Sequence, residues 1–341
     1  MSENESRPDL EGNKPKVQPP LSIEDGLTLA RQHQGAGRIG QAERIYRQIL
    51  EVEPSHPVAL HLLGVIAHMA GQSSTAIELI NTALANAPEY FGAHCNLGNV
   101  FLDLGRFDEA IASYQQAVAV KPDYFEAYSN LGLALHNADK VDAAISNYKK
   151  SLSINPKIAN THCNLGNAYL SKGQLDNAIA SYQQALSIDP DFAEVHCNLG
   201  SALKDQGMIE GAMESYRKAI SLKPDYIVAH NNLGTAFQKI GNLDQAAVHY
   251  RQAIAIAPTY ANAHSNLGGA LWGLRRLDEA AECYRTALEN DPTLYEATGS
   301  LGSVLLAMGK TREGLEMETN GFGVINFNAN SGLSYNFGKR A

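Results

Sequence analysis

Pro54, Pro88, Pro122, Pro156, Pro190, Pro224, Pro258 and Pro292 follow one another at a constant step of 34 residues. A Leu-Gly pair keeps the same step, at 63–64, 97–98, 131–132, 165–166, 199–200, 233–234, 267–268 and 301–302. A period of this length constrains the fold more than any local propensity. Each repeat must be one supersecondary unit, and neighbouring units must supply each other's core.

Residues 91–124, FGAHCNLGNVFLDLGRFDEAIASYQQAVAVKPDY, show what one unit contains. Ala93, Leu97, Val100, Phe101 and Leu104 recur at helical spacing and define one apolar face. Gly105 follows, where a helix end favours left-handed backbone. Phe107, Ala110, Ile111, Tyr114, Ala117 and Val118 define a second amphipathic helix. Pro122 ends it, because proline has no backbone N–H and disfavours helix at the residue before it. Each unit is therefore predicted to be a helical hairpin. Gly98 and Ala110 fall where the two helices face each other, and their small size lets the backbones approach. The same alanine recurs at Ala76, Ala144, Ala178, Ala212, Ala246 and Ala280. A Leu at Ala110 would overpack the crossing, at about 1–3 kcal/mol.

The ends differ from the middle. Residues 1–22 carry Pro8, Pro15, Pro19 and Pro20 among charges and read as a disordered leader. They lack the apolar core of a secretory signal, and the chain has no run of about 18 apolar residues, so a cytoplasmic protein without a membrane span is expected. The repeats occupy 23–318, with the last second helix shortened to about Thr311–Glu318. Residues 319–341 turn to Gly, Asn and aromatics. FGVINF and LSYNF, around NANSG, read as two strands that either cap the array or begin a further domain. The net charge of -9 argues against nucleic acid as a partner, because such binding needs a basic footprint.

One recurring string looks like chemistry. HCNLGN begins at His94 and again at His162, and HCNLGS begins at His196. Cys, His and Asn are the residue types of a thiol protease, and Cys with His suggests zinc. Helix geometry opposes both readings. Adjacent residues diverge by about 100° around a helix, whereas a thiol nucleophile needs its base within about 3 Å. Cys163 and Cys197 occupy the same place in neighbouring repeats, about 8–10 Å apart, which is too far for a disulfide and strained for a shared zinc. Four cysteines (Cys95, Cys163, Cys197, Cys283) in so long a chain do not make a secreted disulfide framework. His94, His162, His196, His230 and His264 read as packing residues; a pH-sensitive row would need exposed rings. The GKT at 309–311 lacks the upstream glycine of a phosphate loop and follows a helix. No catalytic residue, metal or cofactor is expected.

The 34-residue period, the Leu-Gly pair, the mid-repeat Ala, the aromatic and the closing Pro together resemble the tetratricopeptide repeat. The resemblance covers about residues 23–310. The repeats run 23–56, 57–90, 91–124, 125–158, 159–192, 193–226, 227–260 and 261–294, with a partial one from Tyr295. The departures are local. Ala30 replaces the glycine of the first repeat, Ile80 replaces the second-helix aromatic, and the family's first-helix Trp becomes His94, Tyr128, His162, His196, His230 and His264. What the resemblance implies is an all-α, right-handed solenoid of helix-turn-helix units. Strings such as AHCNLGNVFLDLG and AHSNLGGALWGL look most like the repeat arm of O-linked N-acetylglucosamine transferases.

On the first helix, Gly92, Cys95, Asn96, Asn99, Leu102 and Asp103 share the face opposite the apolar stripe. The resemblance implies that this face lines an inner groove. Over residues 91–294 these positions hold twelve asparagines and only six charges of mixed sign, so the face is neither a phosphate groove nor strongly acidic. One asparagine never changes: Asn96, Asn130, Asn164, Asn198, Asn232, Asn266. An amide both donates and accepts, which suits the backbone of an extended peptide. Asn99 and Asn167 add to the row, and Lys204, Lys239 and Trp272 are candidates for side-chain selectivity. The bland alternative is that the asparagines serve only stacking. Two function classes stand open here: a scaffold that holds a protein or peptide segment in this face, and the substrate-selecting arm of a glycosyl- or sulfo-transferase whose catalytic domain is absent. Homo-oligomerisation through an exposed end or the convex face is a further expectation.

Overall fold

A computed structural model describes residues 22–322, 326–328 and 332–334. Among these are eighteen α-helices that alternate strictly. The first helices of the hairpins are α1 (Ile23–Gly35), α3 (Pro57–Met69), α5 (Phe91–Asp103), α7 (Phe125–Asn137), α9 (Ala159–Ser171), α11 (Ala193–Asp205), α13 (Ile227–Lys239), α15 (Ala261–Gly273) and α17 (Tyr295–Ala307). The second helices are α2 (Ile39–Val52), α4 (Ser73–Asn86), α6 (Phe107–Val120), α8 (Val141–Ile154), α10 (Leu175–Ile188), α12 (Ile209–Leu222), α14 (Leu243–Ile256), α16 (Leu277–Asn290) and α18 (Thr311–Phe322). The chain divides into two compact units, residues 1–127 and 128–341. In the first, α2 packs on α3 and α4 on α5. In the second, each of α8, α10, α12, α14 and α16 packs on the helix that follows it. The expected helix-turn-helix stack is thus present within each unit.

Each hairpin turns on one left-handed residue. Gly37, Gly71, Gly105, Gly173, Gly207, Gly241 and Gly309 all adopt positive φ, between 69° and 88°. Asp139 and Arg275 hold the same place in their repeats with φ of 59° and 62°, although neither is glycine. The Gly105 amide bonds Leu102 O at 3.0 Å, and the Arg106 amide reaches back to Phe101 O at 2.8 Å. These bonds close α5 and point the chain into α6. Leu104, expected on the apolar face, is 45% exposed, because the turn begins at it. GKT at 309–311 is another of these turns, set between two helices.

The core rests on a ring seated against a bare backbone. Tyr114, Tyr148, Tyr182, Tyr216 and Tyr250 are fully buried. A Cβ placed on Gly98, Gly132, Gly166, Gly200 or Gly234 would lie 2.5–2.7 Å from the Cε1 of the tyrosine in its own hairpin. The glycine of each Leu-Gly pair therefore makes room for a ring, and Ala110 and its equivalents, also fully buried, close the crossing beside it. In the second repeat Ile80 takes the ring's place, 2.7 Å from a Cβ on Gly64. The buried hydroxyls find partners fifteen residues earlier: Tyr114 Oη donates to Asn99 Oδ1 at 2.7 Å and Tyr182 Oη to Asn167 Oδ1 at 2.7 Å. Tyr216 Oη donates to Ser201 Oγ at 3.2 Å, and Tyr250 Oη lies 3.2 Å from Thr235 Oγ1. For Tyr148 that place is Leu133, and its hydroxyl is buried without a partner.

The last hairpin departs from expectation. Its second helix runs to Phe322, four residues past the expected end. Here Gly314 replaces the crossing alanine, and a Cβ on Gly302 would lie 2.7 Å from Gly314 O. The two backbones meet directly there, and the helix continues through Asn320 and Gly321, which favour helix ends by propensity. Glu318 stands where other repeats have tyrosine and accepts from Ser303 Oγ at 2.6 Å. Beyond it, strands β1 (Asn326–Asn328) and β2 (Gly332–Ser334) pair antiparallel, Phe327 opposite Leu333. The leader expected over 1–22 lies outside the described residues apart from Ser22, which caps α1 by accepting from the Asp25 amide. The remainder of the expected tail strands also lies outside them. No described helix is long and apolar enough to cross a membrane.

Three stability measurements test this packing. Gly200→Ala lowers stability in urea by about 1–2 kcal/mol, because overpacking against the immobile Tyr216 ring outweighs the better helix propensity of alanine. Tyr182→Phe costs about 1 kcal/mol, whereas Tyr148→Phe is neutral or stabilising, since only the first loses a bond. Arg275→Gly raises the unfolding midpoint, with a gain of about 1 kcal/mol from relief of the left-handed backbone.

Candidate functional site

The face of the first helices that carries the asparagine row is only partly open. Asn96, Asn130, Asn164, Asn198, Asn232 and Asn266 are all half-buried. Most of them turn a donor toward the preceding repeat. In the unit 1–127, Asn96 Nδ2 donates to His61 Nε2 at 2.7 Å, which leaves the ring proton on Nδ1 for Tyr90 Oη at 3.0 Å. Asn99 Nδ2 donates to Asn96 Oδ1 at 3.2 Å, while Asn99 Oδ1 accepts from Tyr114. A continuous polar chain thus runs from the buried tyrosine of one repeat into the repeat before it. Burial, with a smaller contribution from Arg31, pushes the His61 imidazole down to about 4, so it is neutral at physiological pH.

In the unit 128–341 the same device recurs with different partners. Asn198 Nδ2 donates to Asn167 Oδ1 at 3.1 Å, the atom that also accepts from Tyr182. Asn232 Nδ2 reaches Ser201 Oγ at 3.4 Å, and Asn266 Nδ2 donates to Asn231 Oδ1 at 3.0 Å. Asn130 is engaged as well. Asn164 differs. The place that would hold its partner is Leu133, and among the described residues Asn164 makes no side-chain hydrogen bond. Asn99 and Asn167 therefore act inward, as acceptors for tyrosine hydroxyls, while the unvarying row both ties repeats together and stays partly open to solvent.

The cysteines correct the expectation that Cys and Asn point the same way. Cys95, Cys163 and Cys197 are buried at 4%, 3% and 1% exposure, against the neighbouring repeat. Burial pushes the Cys163 thiol up to about 12 and the Cys197 thiol up to about 11. A thiol held this far above neutrality stays protonated and is a poor nucleophile. The adjacent histidines are tethers: His94, His162, His196, His230 and His264 each bond, through Nε2, the carbonyl of the preceding repeat's closing proline, six residues earlier, at 2.8–3.0 Å. A carbonyl can only accept, so Nε2 carries the proton. The packing role expected of these residues holds, with a directed hydrogen bond that the letter His alone did not reveal.

Of the residues proposed for selectivity, Lys204 is half-buried with Nζ 3.5 Å from Asp205 Oδ1, so much of its charge is met locally. Lys239 is exposed at the end of α13. Trp272 is half-buried and packs against the core of its unit. Lys204, Gln238 and Trp272 occupy the same place in three consecutive repeats, with Lys239 one residue further along. Gln238, which sequence reasoning passed over, accepts from Tyr250 Oη at 2.8 Å and so holds that position of the face in place.

A family model described as TPR repeat matches residues 98–139, 138–173, 166–207 and 200–241, and one described as tetratricopeptide repeat matches 27–91 and 231–295. No curated protein gives a significant match. Among solved structures, the APC/C hetero-tetramer Cut9–Hcn1 aligns over 83% of this chain and 55% of its own, with 18% identity and a TM-score of 0.60. PilF of Pseudomonas aeruginosa aligns over 57% of this chain and 88% of its own, with 19% identity and a TM-score of 0.52. MamA is 30% identical over 48% of this chain and 95% of its own, with a TM-score of 0.45. Cut9–Hcn1 and PilF share the fold. With repeat models covering 27–91 and 98–295, this chain belongs to the tetratricopeptide-repeat family.

Proposed function

We propose that this protein is a non-catalytic scaffold that holds an extended segment of a partner protein along the asparagine-bearing face of its first helices. Tetratricopeptide-repeat proteins generally mediate protein–protein interactions and are typically non-catalytic. The observation that carries the more specific reading is the state of the asparagine row in the unit 128–341. Asn198, Asn232 and Asn266 each spend Nδ2 on the preceding repeat, while Oδ1 takes up no bond among the described residues. A half-exposed amide oxygen, held still by its own N–H, is a preorganised acceptor for a backbone N–H. Rungs about 10 Å apart would meet about every third residue of a strand rising 3.3 Å per residue. Such a row reads backbone, and Lys239 and Trp272 supply the side-chain contacts that separate one sequence from another.

Stacking and binding are separable, because Asn164 makes no inter-repeat bond. Peptides of about twelve residues selected against the full chain from a displayed library serve as the probe. Asn164→Ala weakens their binding about threefold to tenfold and leaves the melting temperature unchanged, whereas Asn198→Ala and Asn232→Ala lose both binding and about 1 kcal/mol of stability each. Full-strength peptide binding by all three variants would sink the proposal.

A further inference from the structure

The seventh repeat holds an arrangement that its neighbours lack. On α14, His249 occupies a place filled elsewhere by Ser113, Asn147, Ser181, Ser215 and Cys283. The three serines there bond a carbonyl of their own helix at 2.8–2.9 Å and present nothing titratable. His249 instead lies flat on Phe237 of α13, with ring centroids 5.4 Å apart and planes 7° apart. It also stacks on the tether histidine His230, at 6.0 Å and 30°. His230 is 6% exposed and spends Nε2 on Pro224 O at 3.0 Å. The Nδ1 atoms of both rings are buried and without a hydrogen-bond partner. From α12, the Arg217 guanidinium lies 5.7 Å from the Phe237 centroid.

We propose that the His230–His249 stack is an acid-sensitive latch that holds α13 against α14 while the His249 ring is neutral and loosens that hairpin when His249 takes a proton. A protonated His249 carries N–H on both ring nitrogens, so its buried Nδ1 becomes a donor with no acceptor. The new charge would face a second imidazole and, across Phe237, the Arg217 guanidinium. The groups acting on His249 are His230 from α13, Arg217 from α12 and the Gln252 side chain on its own helix, with no carboxylate among them. Burial first, then His230 and Arg217, hold the His249 imidazole below its ordinary range, while Gln252 opposes them. Two imidazoles beside a guanidinium also offer a divalent metal no neutralising ligand, so the pair is a protonic device.

A histidine whose proton affinity is lower in the folded state leaves the unfolded state holding more protons, so stability is full above the ordinary histidine range near 6.5 and falls as the pH drops through it. His61 titrates in the same sense in the other unit, so the readout must be local. Hydrogen exchange of the full chain, corrected for intrinsic rates, is followed at pH 7.5 and 5.5 for the wild type, His249→Ser and His249→Phe. Serine is the native occupant of this place in three other repeats, and phenylalanine keeps the stack without a titratable group. In the wild type, protection over 227–256 falls about tenfold more on acidification than over the equivalent 193–222, and neither variant shows the excess. An equal fall in both hairpins of the wild type, or the same excess in His249→Ser and His249→Phe, overturns the proposal.

Discussion

The fold depends on a tyrosine ring seated on a glycine. In five consecutive repeats the ring from the second helix fills the space left where the first helix has no side chain, and a single methyl group there would come within 2.7 Å of ring carbon. This contact sets how closely the two helices of a hairpin approach. Because it recurs every 34 residues, it makes one hairpin a near copy of the next. It also delivers a hydroxyl to a fixed point on the first helix, fifteen residues back, where the side chain that meets it varies from Asn to Ser to Thr. The apolar seat and the polar partner above it together orient the outward face of each first helix.

The asparagine row grows out of that arrangement. Asn198 and Asn232 contact the residues that receive the tyrosine hydroxyls, so the row belongs at once to the joint between repeats and to the surface. Ordered amides on a partly open face are useful to a binding protein because their orientation is settled before a partner arrives. The tether histidines have a comparable role elsewhere on the same helices. They bind α5, α9, α11, α13 and α15 to the proline turn before each, and the proline thereby does more than end a helix.

Much of this was legible in the sequence, and the reason is periodicity. Hairpins, their helix faces and the glycine turn at Gly105 all follow from local rules repeated in phase. The misreadings share a different character. Leu104 lies on the apolar stripe by spacing but at the turn by position, and it is exposed. Cys95, Cys163 and Cys197 fall outside the apolar stripe by spacing but are buried, because a stacked helix has neighbours on two sides and a helical wheel shows only one. Asp139 and Arg275 adopt left-handed backbone that their residue types disfavour, since the turns of seven other hairpins define a geometry they must share. The length of α18 was not legible, because Asn320 and Gly321 lie in a helix that their propensity disfavours.

By itself, then, the sequence determined the repeat, the hairpin and the family, since these need only the spacing of apolar, small and breaking residues along the chain. It also disposed of HCNLGN as a catalytic string, because neighbours on a helix cannot converge. The partners were decided only by tertiary structure: which atom each asparagine, histidine and tyrosine hydroxyl meets, and which of them meets none. The tether histidine pairs are only six residues apart, but the tyrosine pairs are separated by 12 or 15 residues and the inter-repeat asparagine pairs by 31 or 35, and their distances depend on how closely helices and hairpins nest. Leu133 is an ordinary letter in the chain. In the folded protein it leaves Tyr148 without a partner and Asn164 without a tie, because two side chains from different helices converge on the place it fills.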